Sequence, residues 1–191
     1  MNVYDFDKTI YNGDSTIDFY LFSLGRNPLL LRYLPLQTWG WILYLFGKID
    51  KTAFKERFFC FVKGIDCVAY VAAFWTKNKA KMANWYLSQQ QEEDVVISAS
   101  PDFLLRPICK ELGIRHLIAS DVDAETGAFG SANCYGAAKV ARFKEVFGEQ
   151  PIHGFYSDSR SDSPMAQLAD HAFLIVKGKV TEWGDPRETD R

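Results

Sequence analysis

The chain opens on a short lead, Asn2-Val3-Tyr4, that runs straight into Asp5-Phe6-Asp7-Lys8-Thr9. Read as a strand, the lead ends at Asp5. Positions i and i+2 of an extended chain project to the same side, so Asp5 and Asp7 become two carboxylates held together at a strand's carboxyl end. Open α/β sheets place their sites there. Two neighbouring carboxylates repel unless a proton or a cation separates them. A hard, oxygen-seeking ion such as Mg²⁺ is one economical solution. The competing reading of the same five residues is a solvated turn, because Asp, Lys and Thr favour loops.

The rest of the chain supplies the sheet. Asp94 to Ser98 is a strand by its β-branched content, Pro101 opens a helix reaching about Leu112, and Gly113 stops it. His116 to Ala119 forms a second short strand, and Asp123 to Phe129 a hairpin turning at Thr126-Gly127. Ala137 to Phe147 is helical, Ile152 to Tyr156 a strand, Ser163 to Ala169 a short helix and Ala172 to Val176 a further strand. Strands alternating with helices imply a parallel sheet with helices on both faces, an α/β fold. From about residue 14 to 90 the period is helical. Phe54, Phe58, Phe61 and Val62 share one face, with Asp50 as N-cap and Gly64 as stop, and Ala69 to Leu87 reads as a further helix. The expected division is a core of residues 1–13 and 90–191 with an all-helical cap of residues 14–89 inserted after the first strand.

With 191 residues, 48% of them hydrophobic, the chain can bury one good core. Its formal charge of −2 and the absence of a basic cluster argue against a nucleic-acid partner. Cys60, Cys67, Cys109 and Cys134 match no zinc spacing, and Cys60 and Cys109 sit among apolar residues as small core side chains. Free thiols and the lack of a leader pattern lead to the expectation of a cytoplasmic protein.

Three further signals fall at strand ends or helix starts. Ser98-Ala99-Ser100 offers a hydroxyl and turn N–H groups suited to an anion, or else Ser100 is only an N-cap before Pro101. Lys139 lies in the first turn of a helix, where a cation opposes the dipole; a phosphate site would explain it, and an exposed lysine is the plainer reading. Tyr156 to Asp162 again ends a strand on acids, with Asp158 a candidate metal ligand and Asp162 either a partner to the metal or to Lys139, or a helix cap.

In order and spacing these motifs resemble those of the haloacid dehalogenase (HAD) superfamily of phosphohydrolases. Asp5 to Thr9 matches its D-x-D-x-T motif, Ser98 its strand-ending hydroxyl, Lys139 its helix-opening lysine, and Asp158 with Asp162 its acidic pair. The helical insertion is similar to the type-1 cap of the phosphoserine-phosphatase-like branch, subfamily IB, and the likeness covers essentially the whole chain. The resemblance implies a Rossmann-like core and a Mg²⁺-dependent phosphoric monoester hydrolase acting through an aspartyl-phosphate. Asp5 would be the nucleophile and Asp7 the acid and base. Asp5, Asp7 (through its carbonyl) and Asp158 would hold the metal, with Asp162 beside it or orienting Lys139. Thr9, Ser98, Ala99 and Lys139 would bind the phosphoryl group. Asp14 would stand for the acidic residue that follows the first motif, and Arg57 for the cap arginine that grips a substrate carboxylate. Two departures stand out: Ser157 replaces a common glycine, and Ala99-Ser100-Pro101 replaces the double glycine of phosphoserine phosphatases.

The cap is oily. Residues 28–46 carry one charge, Arg32, but Pro35, Gln37 and Gly40 interrupt a stretch only marginally long enough to span a bilayer. It is either two short helices closing a small domain or an apolar lid touching a lipid surface or acyl substrate. Phosphatidylglycerophosphatases of this branch have a comparably oily cap. The expected substrate is therefore a small phosphoserine-like metabolite, with a membrane lipid phosphate, met peripherally at the inner membrane face, as the alternative. A non-catalytic binding module, or phosphoryl transfer to an alcohol, is the remaining reading.

Overall fold

The computed structural model describes residues 1–184. Those beyond 184, the end of the expected core segment, lie outside the described residues. Strand β1 (Asn2–Tyr4) is followed by α1 (Ser15–Arg26), a 3-10 turn (Pro28–Tyr33), α2 (Leu34–Leu45), α3 (Lys51–Phe59), α4 (Cys67–Asn78) and the single turn α5 (Asn84–Leu87). The chain then alternates as β2 (Val95–Pro101), α6 (Asp102–Glu111), β3 (His116–Ser120), α7 (Ala137–Phe147), β4 (Ile152–Ser157), α8 (Ser163–Ala166) and β5 (Ala169–Val176), and ends in β6 (Lys179–Glu182).

The six strands lie in the order β3-β2-β1-β4-β5-β6. All neighbours are parallel except β6, which turns back antiparallel on β5 with Val180 opposite Ile175. Its turn places Lys177 and Gly178 at positive φ, which Gly178 accepts without strain. The chain winds from β1 outward through β2 to β3, then crosses back to lay β4 on the other side of β1. The carboxyl ends of β1 and β4 therefore flank the topological switch point, where open α/β sheets form their binding crevice.

Two apolar clusters sandwich the sheet. Val3, Val95, Ile97, Phe143, Phe155 and Met165 fill one face under α7 and α8. The other face is continuous with the helical insertion: Tyr4, Phe6, Val96 and Leu104 share a cluster with Phe19, Phe61 and Phe74. The indole N–H of Trp75 on α4 donates to the carbonyl of Leu104 at 2.6 Å, fixing the insertion to α6. All four cysteines are buried and free.

Local departures from the sequence reading have local causes. The helix expected over 69–87 is broken at 79–83, because the loop after β1 recruits that backbone: Asn12 N–H donates to Lys81 O, and Ala83 N–H donates to Ile10 O. The expected 123–129 hairpin is a loop closed by one bridge, Val122 to Phe129. Asp123 holds it by accepting from the backbone N–H groups of Glu125 and Thr126. Asp50 does cap α3, accepting from Ala53 N–H at 2.7 Å. Strand β6 was missed because its apolar content is a single Val180.

Candidate active site

Asp5 follows directly on β1, and its N–H is locked to Tyr156 O of β4 at 2.8 Å. Beyond it the chain coils back: Phe6 O accepts from the N–H groups of Thr9, Ile10 and Tyr11, and Lys8 adopts φ +55°. The fold thus presents Asp5 and Asp7 at the switch point. Thr9 Oγ1 donates to Asp5 Oδ2 at 3.4 Å and accepts from Asp158 N–H at 3.0 Å, tying the β1 and β4 loops together.

Lys139 is the electrostatic centre. Gly136, at φ +55°, turns the chain into α7, and Lys139 reaches inward with its ammonium 2.6 Å from Asp5 Oδ1 and 2.7 Å from Asp162 Oδ2. It is buried, so the exposed-lysine reading falls. Burial alone would push Lys139 down, but Asp5 and Asp162 outweigh it and hold the lysine above its ordinary value. Asp162 also accepts from Ser157 Oγ at 2.8 Å, a bond a glycine at 157 would forgo. As the residue before α8 it makes no side-chain cap. Asp162 Oδ2 thus fixes the Lys139 ammonium, while its Oδ1 is buried without a partner and is available to a cation.

Asp7 is clamped by Ser15 N–H at 2.6 Å and Ser100 Oγ at 2.5 Å. Ser100 is thus not the cap of the following helix, which has no side-chain cap; it fixes a carboxylate 93 residues away. Burial, with the charge of Asp14, pushes Asp7 up to about 7. Burial, with Asp5, pushes Asp158 up to about 6. Burial also pushes Asp5 up, against the pull of Lys139. Ser98 Oγ accepts from Ser100 N–H, leaving its own proton free to donate toward the cavity it lines.

A cavity of about 380 Å³ opens over these groups, lined by Asp5, Asp7, Ser98, Ala99, Lys139 and Asp158 on the core side. Ile17, Phe54, Phe58, Lys51, Lys55 and Tyr135 also line it. Asp14 lies on the wall while capping α1 through Ile17 N–H. Arg57 does not reach this cavity: its guanidinium donates to Ala53 O, and its stem lies against Gly40 of α2. The cations that α3 presents here are Lys51 and Lys55, the latter two residues before Arg57. The Lys55 ammonium donates to Ala99 O at 2.7 Å and Asn133 Oδ1 at 2.9 Å, both uncharged acceptors. Burial, with the charge of Lys51, pushes Lys55 down to about 8. Sequence reading missed Lys55 because Lys55 and Arg57 are both plausible cap cations and only the phase of α3 separates them.

Among the described residues no three His, Cys, Asp or Glu side chains gather into a metal cage. Mg²⁺ does not need one, since it takes one or two carboxylates and keeps several waters. The donor set fits. Three acids around the crevice are held above their ordinary values by burial and mutual charge, and Asp162 Oδ1 is buried without a partner. A hard cation relieves that excess of negative charge.

A family model described as haloacid dehalogenase-like hydrolase matches residues 3–167. Among curated proteins, Protein CicA of Caulobacter vibrioides is 32% identical over 137 residues, covering 68% of this chain and 56% of that protein, so the match spans little more than half the relative's length. Among solved structures, a protein of unknown function from Bordetella pertussis Tohama I superposes with a TM-score of 0.69 at 19% identity, covering 90% of this chain and 87% of that one. A phosphoserine phosphohydrolase-like protein from Francisella tularensis superposes with a TM-score of 0.56 at 16% identity, covering 90% and 86%. At such identities the two structures speak for the fold.

Proposed function

This chain belongs to the haloacid dehalogenase-like hydrolases, and from that premise we propose that it is a Mg²⁺-dependent phosphatase of a small phosphomonoester, working through an aspartyl-phosphate on Asp5. The observation that carries the reading is the buried Lys139 held between Asp5 and Asp162, with Asp7 on the same cavity. A buried cation fixed beside a carboxylate nucleophile supplies charge where a transferring phosphoryl group needs it.

In the first step an Asp5 oxygen bonds to phosphorus as the bond to the ester oxygen breaks. Asp7 donates its proton to that leaving oxygen, a role suited to a carboxyl raised toward neutrality and held by Ser100 and Ser15. In the second step Asp7 takes a proton from a water as its oxygen bonds to phosphorus. The acyl-phosphate P–O bond breaks, returning Asp5 as a carboxylate and releasing phosphate. Lys139, Ser98 and the loop N–H groups around Ala99 bind the phosphoryl oxygens, while Thr9 keeps the two loops in register. When bound, Mg²⁺ would be held by Asp5, the Asp7 carbonyl and Asp158, and would screen the anionic phosphoryl group from the attacking carboxylate.

For the substrate we infer a phosphoserine-like metabolite. Lys55 reaches the cavity without a carboxylate partner, and Asp14 stands on the same wall. The two are matched to a substrate carboxylate and amine. One observation favours a lipid phosphate as the second reading: Phe54 of the cavity wall stacks at 5.2 Å on Tyr44 of α2, whose outer face is apolar.

The test is phosphate release from a panel containing phosphoserine, other soluble phosphomonoesters and phosphatidylglycerophosphate. It is run with Mg²⁺, with EDTA and with Asp5→Asn. Metal-dependent release that disappears in Asp5→Asn upholds the proposal. Release that persists in Asp5→Asn, or none across the panel from folded, metal-loaded protein, overturns it.

A further inference from the structure

Helix α2 is inside out. The residues it buries are Gln37 and Gly40. Gln37 is satisfied by the fold, accepting from Tyr20 Oη at 2.7 Å and donating to Phe58 O at 2.8 Å. Gly40 is required by closeness: a Cβ there would come within 2.7 Å of Arg57 Cδ. A helix on a water-facing surface turns its apolar stripe to the core; this one turns polar and small residues to the core and its apolar residues out. Trp39 is 56% exposed, Trp41 52%, Leu45 60% and Phe46 75%, and Leu29 and Leu31 of the preceding 3-10 turn continue the surface. Nine of the seventeen large apolar side chains exposed among the described residues fall between 29 and 46. An apolar surface so concentrated marks an interaction site.

The charges around it select the occupant. From Phe19 to Ile49 there is no Asp or Glu, and the charged side chains are Arg26, Arg32 and Lys48, all exposed. A second copy of the chain docking through the same face would bring two cationic surfaces together with no Asp or Glu between Phe19 and Ile49 to pair them, because a two-fold interface uses the same patch on both copies. An anionic bilayer complements both features, with hydrocarbon for the leucines and lipid charge for the cations. Tryptophans favour the same boundary between headgroup and acyl chain. With 12 residues, α2 is about 18 Å long, too short to cross about 30 Å of hydrocarbon. No single helix among the described residues is long and apolar enough to span.

We propose that the outer face of α2 and the preceding turn docks in the interfacial layer of an anionic phospholipid membrane. The helix lies in the plane of the surface, with Trp39, Leu45 and Phe46 inserted, Trp41 at its flank, and Arg26, Arg32 and Lys48 at headgroup level. The Tyr44–Phe54 stack then sets the catalytic cavity one ring away from the bilayer. Docking does not depend on the phosphatase chemistry, and it is measured without turnover.

The experiment is co-sedimentation of the full chain with unilamellar vesicles of phosphatidylcholine alone and of phosphatidylcholine mixed with phosphatidylglycerol. Tryptophan emission is followed in parallel. The expected result is partition onto the mixed vesicles with a blue-shifted emission, and weakening at high salt. In Leu45→Glu/Phe46→Glu partition should fall by at least about tenfold, while the variant's thermal unfolding and its hydrolysis of soluble phosphomonoesters stay at the parent level. Absence of partition onto the anionic vesicles, partition undiminished in the double variant, or a dimer whose interface shields the tryptophans would each overturn the proposal.

Discussion

Replacing Lys139 by Met tests the electrostatic reading of the site most directly. The lysine side chain is 3% exposed, with Asp5 at 11% and Asp162 at 3%. Methionine fills the stem's volume but leaves two carboxylates in a low-dielectric site with no cation between them. Breaking a buried ion pair from one side costs about 3–5 kcal/mol. For a chain of this size that corresponds to a fall in Tm of roughly 6–20 °C. The pH dependence has a definite sign. In the parent, Lys139 is held above its ordinary value, so its contribution is complete at neutral pH and lost only at strongly alkaline pH. In the variant Asp5, already pushed up by burial, is pushed up further. A carboxylate raised in the folded state destabilises above its folded pKa, and that cost fades as pH falls and the group takes a proton. The deficit of Lys139→Met is therefore largest at neutral pH and shrinks through the acid range. The assay is urea unfolding in EDTA, so that no metal substitutes for the missing charge, at neutral and acid pH. A second variant, Lys139→Met/Asp162→Asn, removes one stranded charge and recovers part of the loss. A deficit below about 1 kcal/mol at neutral pH, where the lost pair should matter most, or a double variant less stable than the single, would refute the reasoning.

Two further expectations follow from the cavity. Asp7, raised to about 7, must be protonated to assist a poor leaving group. Hydrolysis of an alkyl phosphate should thus decline as pH rises through neutrality, whereas an activated aryl phosphate, whose leaving oxygen needs no proton, should not follow; superimposable profiles would count against Asp7 as the acid. Lys55→Met should lower kcat/KM for phosphoserine by about 10- to 100-fold, the worth of a hydrogen bond to a charged group. It should spare a phosphomonoester without a carboxylate, and an equal loss on both would place Lys55 in cap docking rather than substrate recognition.

Much of the core was legible because its signals are local. A short apolar or β-branched run followed by Asp or Ser marks a strand and its end, and the order of three such ends with one helix-opening lysine led to the architecture now observed. The illegible parts were decided by contacts between distant segments. The break at 79–83 follows from the loop after β1 needing backbone partners, which no period within 69–87 records. Ser100 had the local look of a helix cap, yet its hydroxyl is spent on Asp7, 93 residues earlier. Arg57 had the residue type expected of a cap cation, but α3 turns Lys55 to the cavity. On a helix two residues are separated by about 200°, so Lys55 and Arg57 flank the Phe54–Phe58 face on opposite sides, and nothing local says which flank meets the cavity.

The same limit governs α2. Its sequence shows an oily helix and cannot say which side faces the protein, because apolar residues occur around its whole circumference. Tertiary structure decided that Gln37 and Gly40 face inward, since only there could Tyr20, the Phe58 carbonyl and the Arg57 stem meet them at close range. What the sequence by itself determined is the chemistry available at each strand end, because spacing along an extended chain sets direction within a few residues. What only the tertiary structure decided is which charges meet. Lys139 lies 134 residues from Asp5 along the chain, and only the strand order that sets β4 beside β1 brings the two to hydrogen-bonding distance.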